Sequence, residues 1–93
     1  MARPKIVEVN YYDFSARLRK ATDAGHRIEK SDETAWGDYV STHNVNEVAM
    51  ASWGRSKFSN VVPVIISDGT TWDGYYVYSK DDEACLKWTL TDD

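Results

Sequence analysis

Cys85 is the single thiol of the chain, and with His26 or His43 and a carboxylate it would make up a thiol–imidazole nucleophile. That chemistry needs a thiolate, and so an accessible sulfur in an electropositive setting. Cys85 instead opens an apolar strand pattern, where a free cysteine behaves as a small buried hydrophobe. The same thiol and two imidazoles are the natural soft ligands for a metal. They stand far apart, with no C-x-x-C or H-x-x-x-H spacing, so no metal site is expected. Carboxylates cluster at Asp32-Glu33, Asp81-Asp82-Glu83 and Asp92-Asp93. General acid–base work needs a carboxyl perturbed by burial or a cleft, and these fall in predicted turns or at the terminus. Gly25, Gly37, Gly54, Gly69 and Gly74 are scattered and form neither G-x-G-x-x-G nor G-x-x-x-x-G-K, so no nucleotide cradle and no cofactor is expected. The residues that could do chemistry thus point away from an enzyme.

Two inventories remain. The first is aromatic: four Trp, six Tyr and two Phe make 13% of the chain, and Trp72, Tyr75, Tyr76, Tyr78 and Trp88 fall close together. In a strand, Tyr76 and Tyr78 share one face with Trp72 in register, while Tyr75 and Val77 share the other. One face must pack on a helix. The other then exposes aromatics beside carboxylates, the composition of a protein-binding patch with anchors inside a charged rim. Trp72, Asp73, Tyr76, Tyr78, Asp81, Asp82 and Glu83 are the predicted contacts. Residues 59–93 hold seven Asp/Glu against two Lys/Arg, whereas residues 1–58 hold eight against nine. The expected partner is therefore a protein with a basic surface, such as a nucleic-acid-binding channel. By analogy, small phage or mobile-element inhibitors act in this way.

The second inventory is basic. Arg17, Lys20, Arg27 and Lys30 gather around the first predicted helix, with Arg19, Arg55 and Lys57 adding to it. With Tyr11, Tyr12, Trp36 and Trp53 as stacking faces they suggest an alternative, a nucleic-acid-binding accessory protein. The overall charge of −4 opposes that alternative.

The elements that must position these groups follow from periodicity. Ile6-Val7-Glu8-Val9 reads as a short strand. Asn10 is an N-cap, and Tyr11, Phe14, Leu18 and Ala21 make one helical stripe, so a helix is predicted over 11–24 with Gly25 as its terminator. Residues 26–31 read as a returning strand. Residues 32–42 are ambiguous, with Trp36 to Val40 read as a strand or an ordered loop. Asn44 followed by Glu47 suggests an N-cap and a short helix ending at Gly54, although Val48 and Met50 also alternate with Ala49, Ala51 and Trp53 as in a strand, so 32–57 is helical or extended. From residue 60 the period becomes two. Pro63 makes 61–67 an expected edge strand or a bulged one, open to pairing with a second copy in a structural or assembly subunit. Asp68-Gly69 is a hairpin turn, Gly74 marks a possible bulge in 72–79, and residues 80–83 are a charged turn. Leu86, Trp88 and Leu90 then alternate with polar residues.

Together these predict one α+β domain over residues 1–93, with one or two helices packed on one face of an antiparallel sheet whose C-terminal part is a three-stranded meander. The length suits a single domain. The basic start is followed by too short an apolar run for a signal peptide, no stretch is long and apolar enough to span a membrane, and one cysteine forms no internal disulfide. The expected location is the cytoplasm.

Overall fold

The computed structural model describes residues 2–29, 33–67 and 72–92. Asn10 accepts the amide hydrogens of Tyr12 and Asp13 at 2.9 and 3.1 Å. This starts α1 (Tyr11–Asp23), which buries Phe14 and Ala21 from its apolar stripe. Gly25 sits in the left-handed region at φ 77, letting the His26 amide turn back to the Ala21 carbonyl at 2.6 Å. The chain then enters β2 (Arg27–Glu29), with β1 (Ala2–Val9) preceding α1.

The ambiguous stretch is helical. α2 spans Glu33–His43, although Trp36 to Val40 carry strong strand formers. Packing overrides that preference. In a helix, Tyr39 enters the core at 4% exposure, and His43, four residues on, stacks on its ring at 4.0 Å. Asn44, at φ 54, ends α2. The cap of α3 (Glu47–Lys57) is Asn46, not Asn44, and its side chain takes the Ala49 amide hydrogen at 3.0 Å. Gly54 does not end this helix. It is buried within it, where an added Cβ would lie 2.9 Å from Val77 Cγ1, so the glycine allows α3 to lie close on the sheet.

Three further strands follow, β3 (Val61–Ser67), β4 (Trp72–Ser79) and β5 (Ala84–Asp92). They form the predicted meander. The five-stranded sheet has the order β1-β5-β4-β3-β2, antiparallel at every pair, so the first strand closes on the last from Ala2↔Asp92 to Val9↔Cys85. The fold is α+β.

Two expectations are corrected. The strand at 61–67 is not an edge. β2 covers Val64, Ile65 and Ile66 on one side, and β4 covers the strand on the other. The edges are β2 and β1, and β1 carries Pro4 and Lys5, residues that discourage edge-to-edge pairing. Second, both faces of the sheet are packed against helices. α1 covers Val64, Ile66, Tyr76 and Cys85 on one side, and α2 and α3 cover Ile65, Tyr75, Val77, Leu86 and Trp88 on the other. Strand alternation divides the aromatics between two cores, so Tyr75 and Tyr76 are each 1% exposed. Among the described residues no helix is long and apolar enough to cross a membrane.

Candidate protein-binding end

The turn between β4 and β5 is built from Ser79, a fully buried polar residue. Its hydroxyl donates to the Ser59 carbonyl and accepts the Asp82 amide hydrogen at 3.2 Å. The Ser59 amide in turn donates to Asp82 Oδ2 at 2.7 Å, and Asn60 Nδ2 donates to Asp81 Oδ2 at 2.5 Å. Asn60 adopts φ 52 to make this approach, and Glu83 adopts φ 49 to close the turn. The segment leaving α3 is thereby tied to the turn by side chains with little conformational freedom. On the other side, the Tyr12 hydroxyl donates to Glu83 Oε2, joining the turn to the first residues of α1. That hydrogen bond raises the Tyr12 phenol pKa, with the charge of Glu83 acting in the same direction, so the donor is kept.

The three carboxylates of this turn share one property. Each is exposed, and each is held by a neutral donor: an amide hydrogen, a carboxamide or a phenol. Orientation is fixed while the negative charge is left uncancelled. Lys80 shares the turn, so three negative charges stand against one positive. Glu8 lies nearby but is paired with Lys57 at 3.2 Å. A shallow cleft of about 280 Å³ lies between Glu8, Tyr11, Tyr12, Phe58 and Glu83. Tyr12 is 63% exposed and forms an aromatic wall beside it, edge-on to Tyr11 at 5.6 Å between ring centres.

The other predicted contacts lie elsewhere. Asp73 is the extra residue of a bulge, since Ile66 pairs with Gly74 and Ser67 with Trp72. Its carboxylate takes Arg17 Nη1 at 3.1 Å and the Tyr76 hydroxyl at 3.2 Å. Tyr76 is core, pressed on Phe14 at 5.0 Å between ring centres, with Lys87 Nζ over its ring at 5.4 Å. Its phenol pKa is pushed up to about 12, chiefly by burial. Tyr78 is half-buried against the same Phe14. Tyr76 and Tyr78 therefore do not form an exposed row, because α1 lies on their face. The Trp72 side chain falls outside the described residues.

Of the basic candidates, Arg17 and Lys20 have described side chains, both on α1. Arg17 is committed to Asp73 and Tyr76, while Lys20 is exposed in the last turn of α1. Arg27 has a described backbone in β2 but not a described side chain, and Lys30 is outside the described residues. Cys85 is buried beneath α1, and burial pushes its thiol up to about 12, so it holds no thiolate near neutral pH. Among the described residues no three His, Cys, Asp or Glu side chains are placed to hold a metal.

The sequence reading missed Tyr12 as a partner of Glu83, and missed Ser59 and Asn60 as clamps. The first was accessible from the helical stripe: Tyr11, Phe14, Leu18 and Ala21 face the sheet, which turns Tyr12 outward. The second depends on tertiary contact across more than twenty positions, for which the sequence carries no local signal. Comparison with protein families, with curated proteins and with solved structures finds no match to this chain, so the geometry of this end is what a functional reading must rest on.

Proposed function

We propose that this chain is a non-enzymatic protein–protein interaction module, and that its acidic end occupies a basic, nucleic-acid-binding surface of a target protein, as an inhibitor or regulator would. The observation that carries this reading is the state of Asp81, Asp82 and Glu83: three exposed carboxylates fixed by neutral donors, with Tyr12 beside them. Preoriented charge lowers the ordering cost of binding, and uncancelled charge speeds and orients encounter with a basic partner. Tyr12 takes over the anchor role that the sequence alone assigned to Tyr76. The pairing of Arg17 with Asp73 counts against a nucleic-acid-binding role for α1, since it removes one cation from that face.

The test is capture from nuclease-treated lysate of the cells that make the protein, using the wild-type chain and the Asp81→Asn/Asp82→Asn/Glu83→Gln variant. The substitutions keep the acceptor oxygens and remove the charge. One protein should be held in near-stoichiometric amount by the wild-type chain at low salt, and released both by high salt and by the variant. Equal capture by the two chains, or capture indifferent to salt, contradicts the reading.

A further inference from the structure

Two carboxylates flank the 280 Å³ cleft at the acidic end, and they belong to different sides of the sheet. Glu8 stands opposite Leu86 in register, on the face that α2 and α3 cover, and meets Lys57 at the end of α3. Glu83 is bonded to Tyr12 of α1, the helix on the other face. Tyr11, Tyr12 and Phe58 complete the walls with their rings, and no Lys, Arg or His is among the residues that line the cleft. Each carboxylate is only partly engaged. Tyr12 donates to Oε2 of Glu83, and Lys57 approaches Oε1 of Glu8, so one oxygen of each has no protein partner among the described residues. The Glu8–Lys57 pair is exposed on both sides, and Lys57 Nζ also lies over the Trp53 ring at 5.1 Å, so a competing cation can displace it at little cost.

The chemistry of an occupant follows from these groups. Two carboxylates without a cation in the wall repel an anion and favour a positive charge. The rings favour a cation with a flat face that gives up its hydration readily, which describes a guanidinium and not an ammonium. A guanidinium also carries N–H donors on several edges, so one group can serve both carboxylates. The cleft is smaller than pockets that enclose a drug-sized ligand, and one side chain is the matching scale. We propose that the cleft receives an arginine side chain of the partner, its guanidinium against the Tyr12 ring and its N–H groups shared between Glu8 and Glu83. This inference rests on the protein-binding reading of the acidic end and names the residue of the basic surface that this end takes.

The experiment uses the full chain labelled with ¹⁵N and titrated at low salt with N-acetyl-arginine N-methylamide. The lysine analogue and the citrulline analogue, a neutral group of nearly the same shape, are titrated alongside. The backbone amide cross-peaks of Val9, Tyr12, Glu83 and Ala84 should shift together and saturably. For so small a probe the dissociation constant should be on the order of 10 mM. The δ-methylene protons of the bound probe should move upfield, as protons over an aromatic ring do. The lysine probe should bind more weakly, and the citrulline probe should give no saturable shift over the same range. Glu83→Gln keeps an acceptor for Tyr12 and removes the charge, and should weaken the titration roughly threefold. Tyr12→Ala, at a ring that is 63% exposed, should weaken it by a similar factor and abolish the upfield shift. No saturable shift overturns the proposal. So does equal binding of the citrulline or lysine probe, or a titration unchanged in both variants. The titration needs no target, so the two readings fail separately. Absence of arginine binding while lysate capture stays charge-dependent overturns the cleft alone. Capture indifferent to charge contradicts the acidic-end reading and, through it, the assignment of the arginine to a partner.

Discussion

The molecule holds its carboxylates in two ways. At the β4 bulge, Asp73 is met by a guanidinium and lies against a buried tyrosine. At the β4–β5 turn, Asp81, Asp82 and Glu83 are met by neutral donors and face solvent. Both sites are acidic in sequence, and both fall within residues 59–93, which carry the chain's net negative charge. Only the second leaves its negative charge without a cation beside it among the described residues. The difference lies in the partner: pairing with a cation cancels charge, whereas hydrogen bonding to a neutral group positions it.

This contrast can be broken first at the bulge's tyrosine. Tyr76→Ala removes a ring that is 1% exposed and leaves a cavity under α1. It should cost about 3–5 kcal/mol, close to the whole stability of so small a domain. Urea denaturation measures this. A loss below about 0.5 kcal/mol would return Tyr76 to the surface. Next is the clamp. Ser79→Ala removes the buried hydroxyl that links Ser59 to Asp82 and should cost about 1–3 kcal/mol, because two main-chain groups lose their partner. Asp82→Asn keeps an acceptor for the Ser59 amide and should cost well under about 1 kcal/mol.

The ion pair likewise carries only a small stability change. Asp73→Asn should cost at most about 1 kcal/mol, and less in high salt, since the Arg17 side chain is 58% exposed. A larger, salt-independent loss would mean that the bulge depends on the charge itself. The buried groups also fix the alkaline limb of stability. Cys85 and Tyr76 are each pushed up to about 12 in the folded chain, above the 9.0 and 10.0 of the exposed groups. The native state therefore holds these protons after the unfolded chain has lost them. Stability is complete below about pH 9 and falls as pH rises toward 12. Urea midpoints at pH 8, 10 and 11 should descend in that order, and a flat series would contradict the burial of both groups.

Much of the fold was legible locally. Asn10 and Gly25 bracket α1 because a cap and a left-handed terminator act within a few residues. The meander was visible because alternation needs only one strand at a time. What stayed hidden depends on distant partners. α2 overrides the strand preference of Trp36 to Val40 through the burial of Tyr39, and a three-residue β2 turns the apparent edge β3 into an interior strand. The same cause governs the site. Asp81, Asp82 and Glu83 were identified as exposed acids from their turn. The aromatic beside them was misassigned, because alternation states which residues share a face but not which faces are covered. Asp73 looked equivalent to the turn acids until Arg17, far away in sequence, was found against it.

The central claim is that the turn carboxylates, and not the bulge carboxylate, carry binding. Once a target has been captured and purified, calorimetric titration of three chains tests this directly: the wild type, the Asp81→Asn/Asp82→Asn/Glu83→Gln variant and Asp73→Asn. The account predicts that the triple variant loses at least roughly tenfold in affinity at low salt, with unchanged thermal stability, while Asp73→Asn stays within about twofold of the wild type. Equal affinities for all three chains, or a loss confined to Asp73→Asn, would contradict it.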